Sequence, residues 1–375
     1  PKPEPVYRAA EQAMRIAANP GRSAHRMALD AARMVYRVRE RTAEWFGLDD
    51  PLRVVFTANA TEALNFAILG MAGHGGHVVT TSMEHNSVLR PLHALESAGK
   101  IRCTVVEASP EGLVSPEDIG SAICADTVLV IVNHASNVLG TVQQVREIGR
   151  ICRSAGKPLL VDASQSAGIF PLDMVRDGIS LLAAPGHKSL FGMQGTGVLL
   201  LGEGVELEPV LRGGTGSLSS ELDQPGYLPD LLESGTLNVP GIASLGAGLS
   251  WLREQGPEAV REAEQRAERQ FLEQLGGNRA VTIYGPQDRT VCAPVVSLNI
   301  AGMECAQAAA RLDQEYGIAV RAGLHCAPLA HRTAGTFPEG SVRFSFGPFH
   351  TGKEIERAAQ AVLELAKAPR SFSLQ

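Results

Sequence analysis

From about Arg53 to Leu201 the chain alternates short apolar runs rich in Val, Ile and Leu with stretches in which apolar residues recur at helical spacing. The runs predict strands at Val54–Phe56, His77–Thr80, Arg102–Val106, Val128–Asn133, Leu159–Asp162, Ile179–Ala183 and Gly197–Leu201. They are unbroken rather than alternating, which is the mark of strands buried on both faces. The expected fold class is therefore α/β: a mostly parallel seven-stranded sheet between two layers of helices. On such a sheet ligands bind beyond the carboxyl ends of the strands, so the polar residues just after each run deserve the closest reading.

The pattern then changes. One long helical stretch is expected from about Gly241 to Leu275, carrying Arg261, Glu262, Glu264 and Arg266. Beyond it an α+β pattern predicts strands near Val281–Tyr284, Val295–Ile300, Ile318–Val320 and Val342–Phe346, and helices near Glu304–Tyr316 and Lys353–Ala366. The expected division is a large domain at 15–250 and a small C-terminal domain at 251–375 joined by residues 1–14. The stretches Gly213–Gln224 and Ala330–Gly340 are the most irregular and read as lid or interface segments.

Composition narrows the function classes. A chain of 375 residues is long enough for about two domains, and 44% hydrophobic against 20% charged residues describes an ordinary folded protein. Only 5% aromatic residues and a net charge of -6 leave neither a stacking surface nor a basic face for nucleic acid. Runs such as Val128–Val132 and Val198–Leu201 fall far below the roughly 18 residues of a membrane span. Cys103, Cys124, Cys152, Cys292, Cys305 and Cys326 form no CxxC pair and no metal spacing, so reduced thiols in a cytoplasmic protein are expected. The opening Pro1-Lys2-Pro3-Glu4 has no signal-peptide character and no Met, so a trimmed start is expected.

Four signals follow predicted strands. Thr61, in Thr57-Ala58-Asn59-Ala60-Thr61-Glu62, opens a helix whose free amides suit a phosphate; an ordinary N-cap is the alternative. Asp162, followed by Gln165, puts a carboxylate at the binding edge, where it holds a protonated ring nitrogen or caps a helix. Lys188, in Ala183-Ala184-Pro185-Gly186-His187-Lys188, stands at a glycine turn as a Schiff-base lysine or a solvated loop residue. Cys326, in Arg321-Ala322-Gly323-Leu324-His325-Cys326-Ala327-Pro328, is flanked by cationic candidates that favour a thiolate; an inert buried thiol is the alternative.

Taken together, these pieces resemble the class V aminotransferase family of pyridoxal 5'-phosphate enzymes, within it the cysteine desulfurases, and most closely their second group, which is similar to selenocysteine lyase. The resemblance runs from Gly21-Arg22-Ser23-Ala24-His25-Arg26 to Arg343-Phe344-Ser345-Phe346, and Gly-His-Lys, Glu-His-Asn and His-Cys-Ala carry it jointly. It implies the fold-type I architecture, with Lys188 as the Schiff-base lysine and Asp162 on the pyridinium nitrogen. His85, in Ser82-Met83-Glu84-His85-Asn86, resembles the histidine stacked on the ring, and Gln165 the donor to its phenolic oxygen. Ala60, Thr61 and His187 match phosphate contacts, and Thr236 matches a threonine arriving from a second subunit, which implies a homodimer with shared sites.

Asn137 and Arg343 resemble the pair that holds the substrate, L-cysteine, and Cys326 the sulfur acceptor that becomes a persulfide on the way to alanine. The stretch from Arg321 to Cys326 is short, which implies a tethered cysteine and a protein partner to take its sulfur. Two departures stand out: Pro185 where many relatives carry a Ser, and Leu324 where a first His is common. A selenocysteine lyase or another cysteine C–S lyase would use the same Lys188 and Arg343 but need Cys326 less, while a transaminase leaves the cysteine turn without a purpose. A non-catalytic scaffold does not account for Lys188, Asp162, His85 and Cys326 together.

Overall fold

Apolar residues of each predicted run divide between two cores, and that division builds the molecule. The computed structural model describes residues 1–16, 18–21 and 25–367, so Arg22, Ser23 and Ala24 of the N-terminal part of the resemblance lie outside the described residues. The main sheet contains β1 (Val54–Thr57), β2 (Gly76–Thr81), β3 (Ile101–Val106), β4 (Thr127–Asn133), β5 (Leu159–Asp162), β6 (Leu181–Pro185) and β7 (Gly197–Leu201), in the order β1-β7-β6-β5-β4-β2-β3. Only β7 runs against its neighbours. The carboxyl ends of the other strands therefore share one edge, where Thr57, Asn133, Asp162 and Pro185 stand. Successive side chains of a strand face opposite ways: Val54 and Phe56 join one buried cluster and Val55 the other, as do Val130 and Val132 against Leu129 and Ile131.

The helices in chain order are α1 (Glu4–Ile16), α2 (Arg26–Trp45), α3 (Ala60–Ala72), α4 (Asn86–Ser97), α5 (Pro116–Ala122), α6 (Val145–Ser154), α7 (Met174–Asp177), α8 (Val239–Gln255), α9 (Pro257–Leu275), α10 (Cys305–Tyr316), α11 (Pro328–Thr333) and α12 (Gly352–Lys367). Helix α3 covers one face of the sheet, its Leu64 and Ile68 fully buried in the cluster that holds Val55. Helices α2, α6 and α8 cover the other through Val38, Ile148 and Leu245. A second sheet, β10-β11-β9-β8, is antiparallel throughout and comprises β8 (Val281–Tyr284), β9 (Val295–Ile300), β10 (Arg321–Gly323) and β11 (Ser341–Ser345). Its own cluster joins Val296 and Leu298 to Phe271 of α9 and Val362 of α12.

Three predicted elements are corrected. The expected single helix from Gly241 to Leu275 is two, because Gly256 takes a left-handed φ of 81° and Pro257 begins the second. The expected strand Ile318–Val320 lies at Arg321–Gly323 instead, since the Ile318 amide turns back to the Leu312 carbonyl and closes α10. The expected Ile179–Ala183 strand begins at Leu181 and runs on to Pro185, with the Ile179 amide turned back to the carbonyl of Met174, the first residue of α7. Within Ala330–Gly340, residues to Thr333 belong to α11, whereas Gly213–Gln224 contains no helix or strand.

Candidate active site

The turn after β1 starts a helix whose first amides face the carboxyl edge of the sheet. Asn59, not Thr61, caps α3, its side-chain oxygen accepting from the Glu62 amide at 3.0 Å. Ala60 and Thr61 then occupy the first turn, where amides lack intrahelical acceptors. Across from them His85 caps α4: its Nδ1 accepts from the Ser87 amide at 3.1 Å, and so the neutral ring carries its proton on Nε2. The Ser87 hydroxyl lies 2.9 Å from His85 Nδ1 and 2.8 Å from the Thr61 hydroxyl, linking the two helix starts. Burial pulls the His85 imidazole below its usual value, against the opposing pull of Asp162.

Ala60, Thr61, His85, Asp162, Gln165, His187, Lys188 and Asn137 line one inner cavity. Asp162 ends β5, is 4% exposed, and its carboxylate accepts from the Ser164 amide at 2.9 Å. Lys188 projects from the turn after β6 and lines this cavity; its side chain is exposed to that space, with the cavity walls around it. That confinement lowers its ammonium pKa, against the pull of Asp162. The Nδ1 of His187 is buried without a hydrogen-bond partner beside the start of α3. Pro185 lines the same cavity and brings no hydroxyl to it.

His85, Asn137, Gln165 and Lys188 also line a larger outer cavity of about 510 Å³, which opens between the main sheet and the second one. Arg321, Arg343 and Glu264 reach it from the other side. Arg343 Nη1 donates to the Asn137 carbonyl at 2.9 Å, while its Nε is buried with no partner. Burial first, then the charge of Arg321, pulls the Arg343 guanidinium down to about 10, which leaves it cationic at neutral pH. Glu264 is 6% exposed, has an unpartnered Oε2 and is pushed up to about 8 by burial.

Cys326 lies three residues past β10 and two before α11, half-buried, and does not line either cavity itself. Its sulfur receives Arg321 Nη2 at 3.2 Å, and its carbonyl accepts from the Asn86 amide at 2.7 Å. The adjoining His325 is buried, with its Nε2 3.3 Å from the Ser341 hydroxyl and its ring against His331 at 5.3 Å. Leu324 stands before it, half-buried. Thr236 does not line the cavities of its own chain; it sits exposed on the loop before α8, 3.5 Å from the Asn19 side chain.

The structure thus brings Ala60, Thr61, His85, Asn137, Asp162, Gln165, His187, Lys188 and Arg343 to two adjoining cavities, puts Cys326 one guanidinium away, and leaves Thr236 apart. Sequence reasoning passed over Arg321, Asn86, Ser87 and Glu264 as site residues. Arg321 opens the cysteine-bearing stretch, and its distance from Cys326 was the signal available.

The profile of the aminotransferase class-V family matches residues 1–358, and the chain belongs to that family. Within it, the chain is 35% identical to the probable cysteine desulfurase of Methanothermobacter thermautotrophicus, over 98% of this chain and 92% of that protein. It is 32% identical to the cysteine desulfurase IscS of Anaeromyxobacter dehalogenans, over 95% and 87%. The apo structure of the cysteine desulfurase from Thermococcus onnurineus NA1 superimposes with a TM-score of 0.90 at 32% identity, covering 98% of this chain and 92% of that one. Among the described residues no helix is long and apolar enough to cross a membrane.

Proposed function

We propose that the protein is a pyridoxal 5'-phosphate-dependent cysteine desulfurase that converts L-cysteine to L-alanine and keeps the sulfur as a persulfide on Cys326. One observation carries the reading: the Cys326 sulfur is held by Arg321 beside a cavity lined by Lys188 and by Arg343, whose Nε is buried without a partner.

The residues present fit the cofactor. Orphaned His187 Nδ1, Thr61 and the first-turn amides of α3 suit a phosphate, Asp162 suits a protonated ring nitrogen, and His85 and Gln165 flank the space between. When bound, pyridoxal phosphate supplies an electron sink that makes the substrate α-proton acidic. Lys188, its pKa lowered by confinement, holds the cofactor and then takes that proton. Arg343 takes the substrate carboxylate on its free Nε edge. The Cys326 thiolate attacks the substrate sulfur: an S–S bond forms, the substrate C–S bond breaks with its electron pair going to carbon, and protonation there gives alanine. L-cysteine and a thiol become L-alanine and a persulfide, and no outside oxidant is needed.

The chain is read as a cofactor unit at 15–250 and a smaller unit at 251–375 with 1–14, supported by the separate cluster around the second sheet. A homodimer in which Thr236 serves the neighbouring subunit's phosphate accords with its exposed place away from its own cavity. Six free thiols support a cytoplasmic setting, and the short tether of Cys326 supports delivery of sulfur to an acceptor protein. Borohydride reduction of the cofactor-loaded protein followed by peptide mapping tests the reading. A label on Lys188 is expected, and a label on another lysine or none overturns it.

A further inference from the structure

We infer that Asn137 is a positioning residue that transmits occupancy of Arg343 to the turn presenting Cys326. Within that turn His325 and Cys326 take φ of 49° and 61°, two consecutive side-chain-bearing residues in the left-handed region. Such a backbone persists only where its surroundings hold it. Besides the bond of the His325 ring to the Ser341 hydroxyl, three bonds from outside the turn do so. Asn137 Nδ2 donates to the His325 carbonyl at 2.8 Å, the Asn86 amide to the Cys326 carbonyl at 2.7 Å, and Arg321 Nη2 to the Cys326 sulfur at 3.2 Å.

Of the three, only the Asn137 bond leads back to the Arg343 guanidinium. Arg343 spends Nη1 on the Asn137 carbonyl at 2.9 Å and leaves Nε buried and unpartnered. A carboxylate that forks onto the Nε edge does not compete with the Nη1 bond; it fixes the guanidinium, and the guanidinium fixes residue 137. The side chain of that residue then holds the carbonyl of the residue next to the thiol. Cys326 is thereby set in its strained turn when a carboxylate substrate is seated. The inference rests on the proposed function in one respect, that Arg343 takes the carboxylate.

Hydrogen exchange on the cofactor-loaded protein, read by mass spectrometry with and without saturating L-alanine, tests it. Alanine carries the carboxylate but no sulfur, so no turnover interferes. In the wild type, alanine should slow exchange of the peptide spanning 321–330 by about fivefold or more. In Asn137→Ala the main-chain acceptor for Arg343 survives but the donor to His325 is gone, so the response to alanine should fall below about twofold. Asn137→Asp, which keeps the size and lacks the donor, answers the same question should the alanine variant fail to fold. A purely structural Asn137 would loosen the turn equally with and without alanine and preserve the ratio, which overturns the inference. So does a wild-type peptide that ignores alanine while the cofactor absorbance reports its binding; failure of alanine to bind at all overturns the proposed function as well.

Discussion

Arg321 on β10 and Arg343 on β11 pair directly across the strands, so two guanidinium groups stand as neighbours at the mouth of the outer cavity. Like charges opposite one another are unfavourable in a sheet, and anions relieve the cost. In the proposed reaction the Cys326 sulfur beside Arg321 Nη2 and a substrate carboxylate at Arg343 are the two anions. The proposed reaction needs a thiolate and a carboxylate side by side, and one strand pair carries both cations.

Arg321→Ala should slow persulfide formation by about tenfold or more. A hydrogen bond to a charged group contributes about 1.5–3 kcal/mol, and 1.4 kcal/mol is a factor of ten. Rapid-quench single turnovers check this, with the cofactor absorbance as the control for binding. An unchanged rate removes Arg321 from the account.

Glu264 makes stability depend on pH. Its carboxyl is pushed up to about 8 by burial, so the folded state holds a proton that the unfolded chain releases at ordinary carboxylate pH. Its contribution is complete below that ordinary pKa and is lost as pH rises to about 8. Glu264→Gln keeps the neutral shape and should melt a few degrees above the wild type at pH 8.5, at about 2 °C per kcal/mol, with the difference vanishing near pH 5. Calorimetric scans at the two pH values decide it.

Arg39 of α2 meets Glu233 in a buried two-pronged pair at 2.8 and 2.7 Å, and the Phe56 amide of β1 donates to the same carboxylate at 2.6 Å. This pair ties the loop that carries Thr236 to the edge of the main sheet. Glu233→Ala strands a buried guanidinium and should cost about 3–5 kcal/mol in a urea titration. Replacing both partners by apolar residues of similar size should cost less.

Gly168 marks the closest approach behind Lys188. A β-carbon there would fall 1.9 Å from the Ser189 carbonyl oxygen, inside the turn that aims the lysine. Gly168→Ala should displace that turn and lower the bound cofactor per chain by at least about half, a loss of the positioning on which such sites depend. Cofactor release in alkali, quantified by absorbance, measures it.

Much of this site was legible because its parts follow strands: Asp162, Lys188 and Asn137 each come after an apolar run, and parallel strands deliver their ends to one edge. The break between α8 and α9 was written in Gly256-Pro257, but a continuing helical period outweighed it. Glu264 read as one charge on a helix face, since periodicity does not tell which face a second sheet will bury. The place of Arg321 depends on the antiparallel register of β10 and β11, and a single chain carries no local mark of that pairing.

Transfer of the sulfur to Cys326 is the step on which the proposed activity turns. Purified protein loaded with pyridoxal phosphate is mixed with one equivalent of L-cysteine, alanine is measured, and the peptide containing Cys326 is weighed by mass spectrometry. Alanine together with one added sulfur on Cys326 is expected, and neither product in Cys326→Ala. Full alanine release by Cys326→Ala, or the added sulfur on another cysteine, would contradict it.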